Sequence, residues 1–229
     1  HAHKAHSMRM AKLGYSTFTK VYNKHIVIGD YLPNEVDCGH RALSNLALHY
    51  ISFLDNGTLA EQQFKNANNM TLQLSALSNL VKAGNGAQAL AKFYEQWRNE
   101  RLVIDKWFSL QVVSCDPEVA VSIATTLTKH TDFTLKNPNR FRALIGALAM
   151  TPAAFHQPDG SAYNLIANQL IALDDLNPQL CARVTTAFDT WKLYDKNRQS
   201  MINAALKRIA NKPDLSRDTG EILDRLLSA

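Results

Sequence analysis

A chain of 229 residues with 46% hydrophobic and 20% charged residues has ample material for a core, which excludes intrinsic disorder. Its net charge of 25 − 20 = +5 is spread among interspersed Lys, Arg, Asp and Glu rather than gathered in a block, so no nucleic-acid surface is expected. No run approaches the roughly 18 apolar residues of a membrane span, and the polar, His-rich start reads as no signal peptide; no membrane partner and a cytoplasmic location are expected.

Taken in chain order, nearly every segment reads as helix. His1-Ala-His-Lys-Ala-His6 is open to two readings, a purification-tag remnant or the first turns of a helix running to about Asn23. Residues 1–36 are read as a leading segment of the same domain, and residues 37–229 as the domain proper. Pro33-Asn34 precedes a pattern carrying Val36, Leu43, Leu46, Ala47, Tyr50, Ile51 and Leu54, and Asn56-Gly57 stops it. Thr58-x-x-Glu61 has capping-box spacing. Residues 70–81 place Leu74, Leu77, Leu80 and Val81 on one face, before Gly84-Asn-Gly86 breaks the chain. Helices are expected at 88–98 and 102–113. Asp116-Pro117, Asn137-Pro138 and Asn177-Pro178 each read as an N-cap followed by proline at the first helical position. Asp195 caps the penultimate helix, and the last one carries Ile222, Leu223, Leu226 and Leu227.

Strand content is expected to be close to nil, because Asn56-Gly57 and Asp159-Gly160 lie between helical patterns rather than alternating ones. A dozen or so helices joined by short loops predict an all-α, HEAT/armadillo-like superhelical solenoid of antiparallel pairs. Cys38, Cys115 and Cys181 lie far apart without a Cys-x-x-Cys pair and read as buried thiols.

Few residues carry chemistry by pattern. The histidines stand at 1, 3, 6, 25, 40, 49, 130 and 156, and none is followed by Glu, so no His-Glu-x-x-His zinc helix is present. No metal or cofactor ligand set is identified, and no catalytic residue. His156 lies in a turn without a nucleophile beside it, and Ser161 reads as an N-cap. Asn66, Asn68 and Asn69 read as capping residues. Trp107 and Phe108 read as core anchors. Arg140 and Arg142 fall in the first turn after Asn137-Pro138, where the helix dipole prefers acids. Gln179 and Arg183, four apart, share one helix face beside the separate apolar stripe of Leu180, Val184, Phe188 and Trp191. From spacing alone, an ordinary solvated Arg–carboxylate pair on a helix is the preferred reading of Arg142 and Arg183 over ligand binding.

Five blocks carry a resemblance: Phe64-Lys-Asn-Ala-Asn-Asn-Met-Thr71, Asp105-Lys-Trp-Phe-Ser-Leu-Gln111, the stretch opened by Asn137-Pro-Asn-Arg-Phe-Arg142, Leu176-Asn-Pro-Gln-Leu-Cys-Ala-Arg183, and Tyr194-Asp-Lys-Asn-Arg-Gln-Ser-Met201 with Ala204-Ala-Leu206. In their order and spacing, over roughly residues 37–229, they resemble the C-terminal domain of bacterial aminopeptidase N, a family of zinc metallo-aminopeptidases. The resemblance implies a curved superhelix with its concave side toward a catalytic domain. It implies zinc in the parent enzyme rather than here, since neither the zinc motif nor the Gly-x-Met-Glu-Asn substrate motif occurs in this chain. It implies that Arg142, Gln179 and Arg183 line the substrate cavity on the leaving-group side. It also implies that the partners are peptide substrates and the catalytic and N-terminal domains of the same enzyme, and that this chain alone is inactive. An independent helical-repeat interaction scaffold is the alternative reading.

Overall fold

A computed structural model describes residues 2–228, so His1 lies outside the described residues. All regular structure among them is helical. The chain divides into two compact units, residues 1–98 and 99–229.

The first unit contains α1 (Ala2–Lys24), α2 (Glu35–Ile51), α3 (Thr58–Asn66), α4 (Met70–Lys82) and α5 (Ala87–Trp97). Each packs mainly on helices close to it in sequence: α1 on α2, α2 on α3 and α4, α3 on α4, and α4 on α5. That locality is what a stack of helix pairs requires. The core is formed by Leu48 and Ile51 of α2, Ala60 and Phe64 of α3, Leu77 and Leu80 of α4 and Phe93 of α5. Polar ties cross it. Tyr22 donates to Gln63 Oε1 at 3.1 Å, and Gln63 Nε2 donates to Asn45 Oδ1 and to the Leu72 carbonyl, each at 2.9 Å.

The second unit starts with α6 (Arg101–Ser114) and α7 (Pro117–Leu127). A composite helix follows: α8 (Pro138–Phe141), a π-helical turn (Arg142–Gly146) and α9 (Ala147–Ala149). Then come α10 (Pro152–Phe155), α11 (Ser161–Asp174), α12 (Pro178–Thr185), two 3₁₀ turns, α13 (Lys196–Ala210) and α14 (Arg217–Ser228). The composite helix packs on α6 and α7, α11 on α12 and α13, and α14 on α12 and α13. Phe108, Phe141, Leu144, Ile145 and Leu148 are fully buried, as are Phe155, Tyr163, Ile166 and Leu170.

Most starts are capped as the residue pattern requires. Asn34, Asn69, Asn177 and Asp195 accept from the backbone N–H of Asp37, Leu72, Leu180 and Arg198 at 2.7–3.0 Å. Asn137 accepts from Asn139 and Arg140. Each such cap contributes about 1 kcal/mol by satisfying a donor the helix leaves orphaned.

Four expectations are corrected. Thr58 and Glu61 form no capping box: the cap position is Gly57 in the left-handed region (φ 81°), and the Asp55 carboxylate accepts from Gly57 and Leu59 instead. Ser161 is the first helical residue rather than the cap, because Gly160 (φ 66°) precedes it and Asp159 accepts from its backbone and hydroxyl. Only Cys181 is buried; Cys115 is half-buried and Cys38 exposed, since Cys38 lies on the outer side of α2. The inward face of α2 is Arg41, Ser44, Ala47, Leu48 and Ile51, which leaves Val36, Leu43 and Leu46 turned to solvent.

A buried carboxylate ties α11 to α14. Asp174, 1% exposed, accepts from the Ser216 backbone at 2.8 Å, the Ser216 hydroxyl at 2.5 Å and the Thr219 hydroxyl at 2.6 Å, with Lys212 at 3.7 Å. Burial pushes its pKa up, but the hydrogen bonds from Ser216 and Thr219 and the Lys212 charge outweigh this and hold it below the usual carboxylate value. Asp174→Asn turns acceptors into donors facing donors, with an expected loss of about 3 kcal/mol in denaturant unfolding. A depressed native pKa means that wild type holds its full advantage above about pH 4, the unfolded value. That advantage disappears as pH falls through the native pKa.

Candidate functional site

Arg140 and Arg142, indistinguishable by pattern, have opposite fates. Arg140 is 5% exposed, and its Nε meets Asp105 Oδ1 at 2.5 Å. Its NH1 donates to the Asp132 carbonyl at 2.7 Å and its NH2 to the Arg101 carbonyl at 3.4 Å. The guanidinium lies 4.7 Å from the Phe108 ring centroid. It thus joins α6, the connection before α8, and α8 itself. A buried arginine so completely paired holds the unit together and is closed to a ligand.

Arg142 projects outward from the start of the π-helical turn, where the Ala147 N–H reaches back five residues to the Arg142 carbonyl. Its NH1 donates to the Asn139 side chain at 3.1 Å, and the rest of the fork faces solvent. Such turns insert one extra residue into a helix and shift which side chains face outward.

Gln179 and Arg183 lie on the exposed face of α12, with Leu180, Cys181, Val184 and Thr185 buried on the other side. Asn177 and Pro178 set the start of this helix, and the stripe continues into Phe188 and Trp191, both buried. Arg183 occupies the last turn, where a cation is favoured by the helix dipole. Neither side chain makes a hydrogen bond or ion pair within the described residues. The pair is therefore an amide and a guanidinium one turn apart and free to bind, able to hold a carboxylate or peptide carbonyls. Arg142 stands on a separate segment packed on α6 and α7, whereas α12 packs on α11 and α14. No hydrogen bond or ion pair links Arg142 to Gln179 or Arg183.

His156 is held rather than free. Its Nδ1 lies 2.9 Å from the Tyr163 hydroxyl, and its ring stacks on Tyr194 at 3.8 Å. Burial, with the nearby Arg198 charge, pushes its pKa down to about 4, so the ring is neutral at pH 7. Tyr163 is pushed up to about 12, mainly by burial. A hollow of about 310 Å³ beside α13 is lined by Trp191, Lys196, Gln199, Ser200 and Asn203, and contains none of the three candidate residues. Among the described residues, no three His, Cys, Asp or Glu side chains gather as metal ligands, so the residues present do not fit a zinc centre. Among the described residues, no helix is long and apolar enough to cross a membrane.

These helix pairs are of armadillo type. The family described as "Domain of unknown function (DUF3458_C) ARM repeats" matches residues 1–228, and the chain belongs to it. The chain is similar to a part of aminopeptidase N. It is 36% identical to aminopeptidase N of Haemophilus influenzae and 37% identical to that of Escherichia coli, each over 214 residues. Those alignments cover 92% and 91% of this chain but 24% of each relative. The crystal structure of Legionella pneumophila aminopeptidase A in complex with aspartic acid superposes with a TM-score of 0.89 at 28% identity, over 99% of this chain and 28% of that one. The chain thus spans about a quarter of the length of the curated relatives it matches.

The geometry separates the arginines experimentally. Arg140→Ala leaves Asp105 buried without its partner and is expected to lose about 3–5 kcal/mol of stability. Arg142→Ala, Gln179→Ala and Arg183→Ala, all exposed, are expected to stay within about 0.5 kcal/mol of wild type in the same unfolding measurement.

Proposed function

We propose that this chain is the closing domain of a zinc-dependent aminopeptidase that removes N-terminal residues from peptides in the cytoplasm. In this reading the helical domain, with its body at residues 37–229, caps the catalytic domain. It bounds the substrate cavity and contributes Gln179, Arg183 and Arg142 on the leaving-group side. The zinc and the reacting groups belong to the rest of the polypeptide.

The observation that carries the proposal is the uncommitted Gln179–Arg183 pair on α12, in a chain whose relatives are aminopeptidases. A peptide extends past its scissile bond, and a guanidinium fork can donate two hydrogen bonds to its carbonyls or terminal carboxylate. Because Arg183 is anchored on a helix whose other face is buried, its backbone is held in place before the substrate arrives. Binding energy from such remote contacts is expressed in rate as well as affinity.

In the full-length enzyme, Arg183→Ala is expected to lower kcat/KM for a tripeptide by about ten- to a hundredfold, the equivalent of one charge-assisted hydrogen bond. It should leave an amino-acid anilide, which ends near the scissile bond, nearly unaffected. Arg142→Ala should act in the same direction, less strongly because Asn139 already engages its fork. Equal losses on both substrates would indicate a structural role. No loss on either would return the chain to the scaffold reading. The 229-residue chain alone is expected to show no chelator-sensitive turnover of an alanyl anilide.

A further inference from the structure

The connection between α1 and α2, residues 25–34, is irregular yet tied down along its length. At its start, the Nδ1 atoms of His25 and His40 lie 2.7 Å apart, so one imidazole donates and the other accepts. The Gly29 carbonyl accepts from Asn68 Nδ2 at 2.9 Å. The Leu32 carbonyl accepts from Arg41 NH2 at 3.2 Å, and the same guanidinium lies 4.8 Å from the Tyr31 ring centroid. At its end, Asn34 caps α2.

Arg41 makes this an expensive arrangement. It is 2% exposed, among the described residues no carboxylate lies within ion-pair distance of it, and its NH1 is buried without a hydrogen-bond partner. A buried cation lacking a counter-charge costs several kcal/mol. What it holds in place is a set of apolar side chains facing water. Ile28 is 92% exposed, and Ile26, Tyr31, Leu32 and Val36 are each about half exposed or more. The exposed Leu13 of α1 adds to the apolar surface of this unit. Ordering a loop loses backbone entropy, and ordering it with its apolar residues outward recovers none of that by burial. Preordering of this kind is useful where the face is covered by something else.

We propose that residues 26–36 form a preorganised docking strap for another segment of the same, longer polypeptide. This deepens the reading of the chain as one domain of a larger enzyme and rests on it. Two observations select that occupant over a second copy. About three quarters of the length of the relatives lies outside this chain. A covalently attached segment is also present at an effective concentration in the millimolar range, so a strap of this modest size suffices, whereas a second copy must be captured from dilute solution. Asp30 and Glu35, exposed on the strap and without ion-pair partners among the described residues, favour an occupant with an apolar centre and a basic rim.

The test is hydroxyl-radical footprinting, with residue-level oxidation rates read by mass spectrometry in the full-length enzyme and in this chain alone. Ile28, Tyr31 and Leu32 are expected to oxidise at least about fivefold more slowly in the full-length protein, while fully buried Phe93 stays unmodified in both and reports an intact first unit. The pair Ile28→Asp and Leu32→Asp should lower the unfolding midpoint of the full-length protein by about 4 °C or more and leave that of this chain within about 1 °C. Equal oxidation rates in the two proteins overturn the proposal. So does protection in the isolated chain that rises with its concentration, which would make the occupant a second copy. Aminopeptidase activity of the same full-length sample keeps the two ideas apart. An active enzyme with an unprotected strap removes the docking site alone, and a protected strap in an inactive protein removes the peptidase reading alone.

Discussion

The second unit depends on the buried contact between Arg140 and Asp105. Three stretches of chain meet there: α6, the irregular connection after α7, and the start of α8. A guanidinium offers five donors in a plane, and this one is occupied by a carboxylate and two backbone carbonyls, with Phe108 against its face. The carbonyls of a loop that lies against a core must find donors somewhere, and Arg140 supplies them. With α8 held in this way, Phe141, Leu144, Ile145 and Leu148 enter the core and Arg142 is left outside. The exposed arginine owes its position to the buried one.

The same division of labour recurs at α11 and α14, where Asp174 collects three hydrogen bonds from the turn that starts the last helix. It recurs at Arg41, which holds the strap before α2. In each place a charged side chain is taken out of water to hold irregular backbone, because helices stacked on sequence neighbours leave their connections with little else to pack on. The surfaces available for binding are then those that this internal bonding leaves unused: the Gln179–Arg183 face of α12 and the outward side of residues 26–36. The proposed place of the chain in an aminopeptidase would give the first of these a chemical setting. The second is defined by the structure alone.

Much of this was legible in the residues. Asn or Asp before proline, followed by apolar residues at helical spacing, marked the starts at 117, 138 and 178, and the stripe Leu180, Val184, Phe188 and Trp191 is buried as its spacing requires. Gln179 and Arg183 follow from that stripe, since residues on the opposite face of an amphipathic helix must point outward. The family blocks were also legible, because they are runs of residues in order. Less legible were the starts at Thr58 and Ser161, where a left-handed glycine and a preceding aspartate share the capping and mimic the spacing of a side-chain cap. The inward face of α2 was only partly legible. Ala47 and Ile51 are buried as their spacing requires, but Val36, Leu43 and Leu46 face solvent while the core takes Arg41, Ser44 and Leu48.

By itself, then, the sequence determined the all-helical architecture, most of the helix boundaries, the family and the outward placement of Gln179 and Arg183. These depend on local rules of capping, periodicity and residue order, which act over a few positions along one chain. Only the tertiary structure decided that Arg140 is a buried tie while Arg142, two residues on, is exposed. It also decided that His156 is a neutral partner of Tyr163 and Tyr194, and that a strap of apolar residues is held out to solvent. Each of these is set by partners 7 to 39 positions away in the chain. Burial and pairing at that range are properties of the packed whole, which no local pattern encodes.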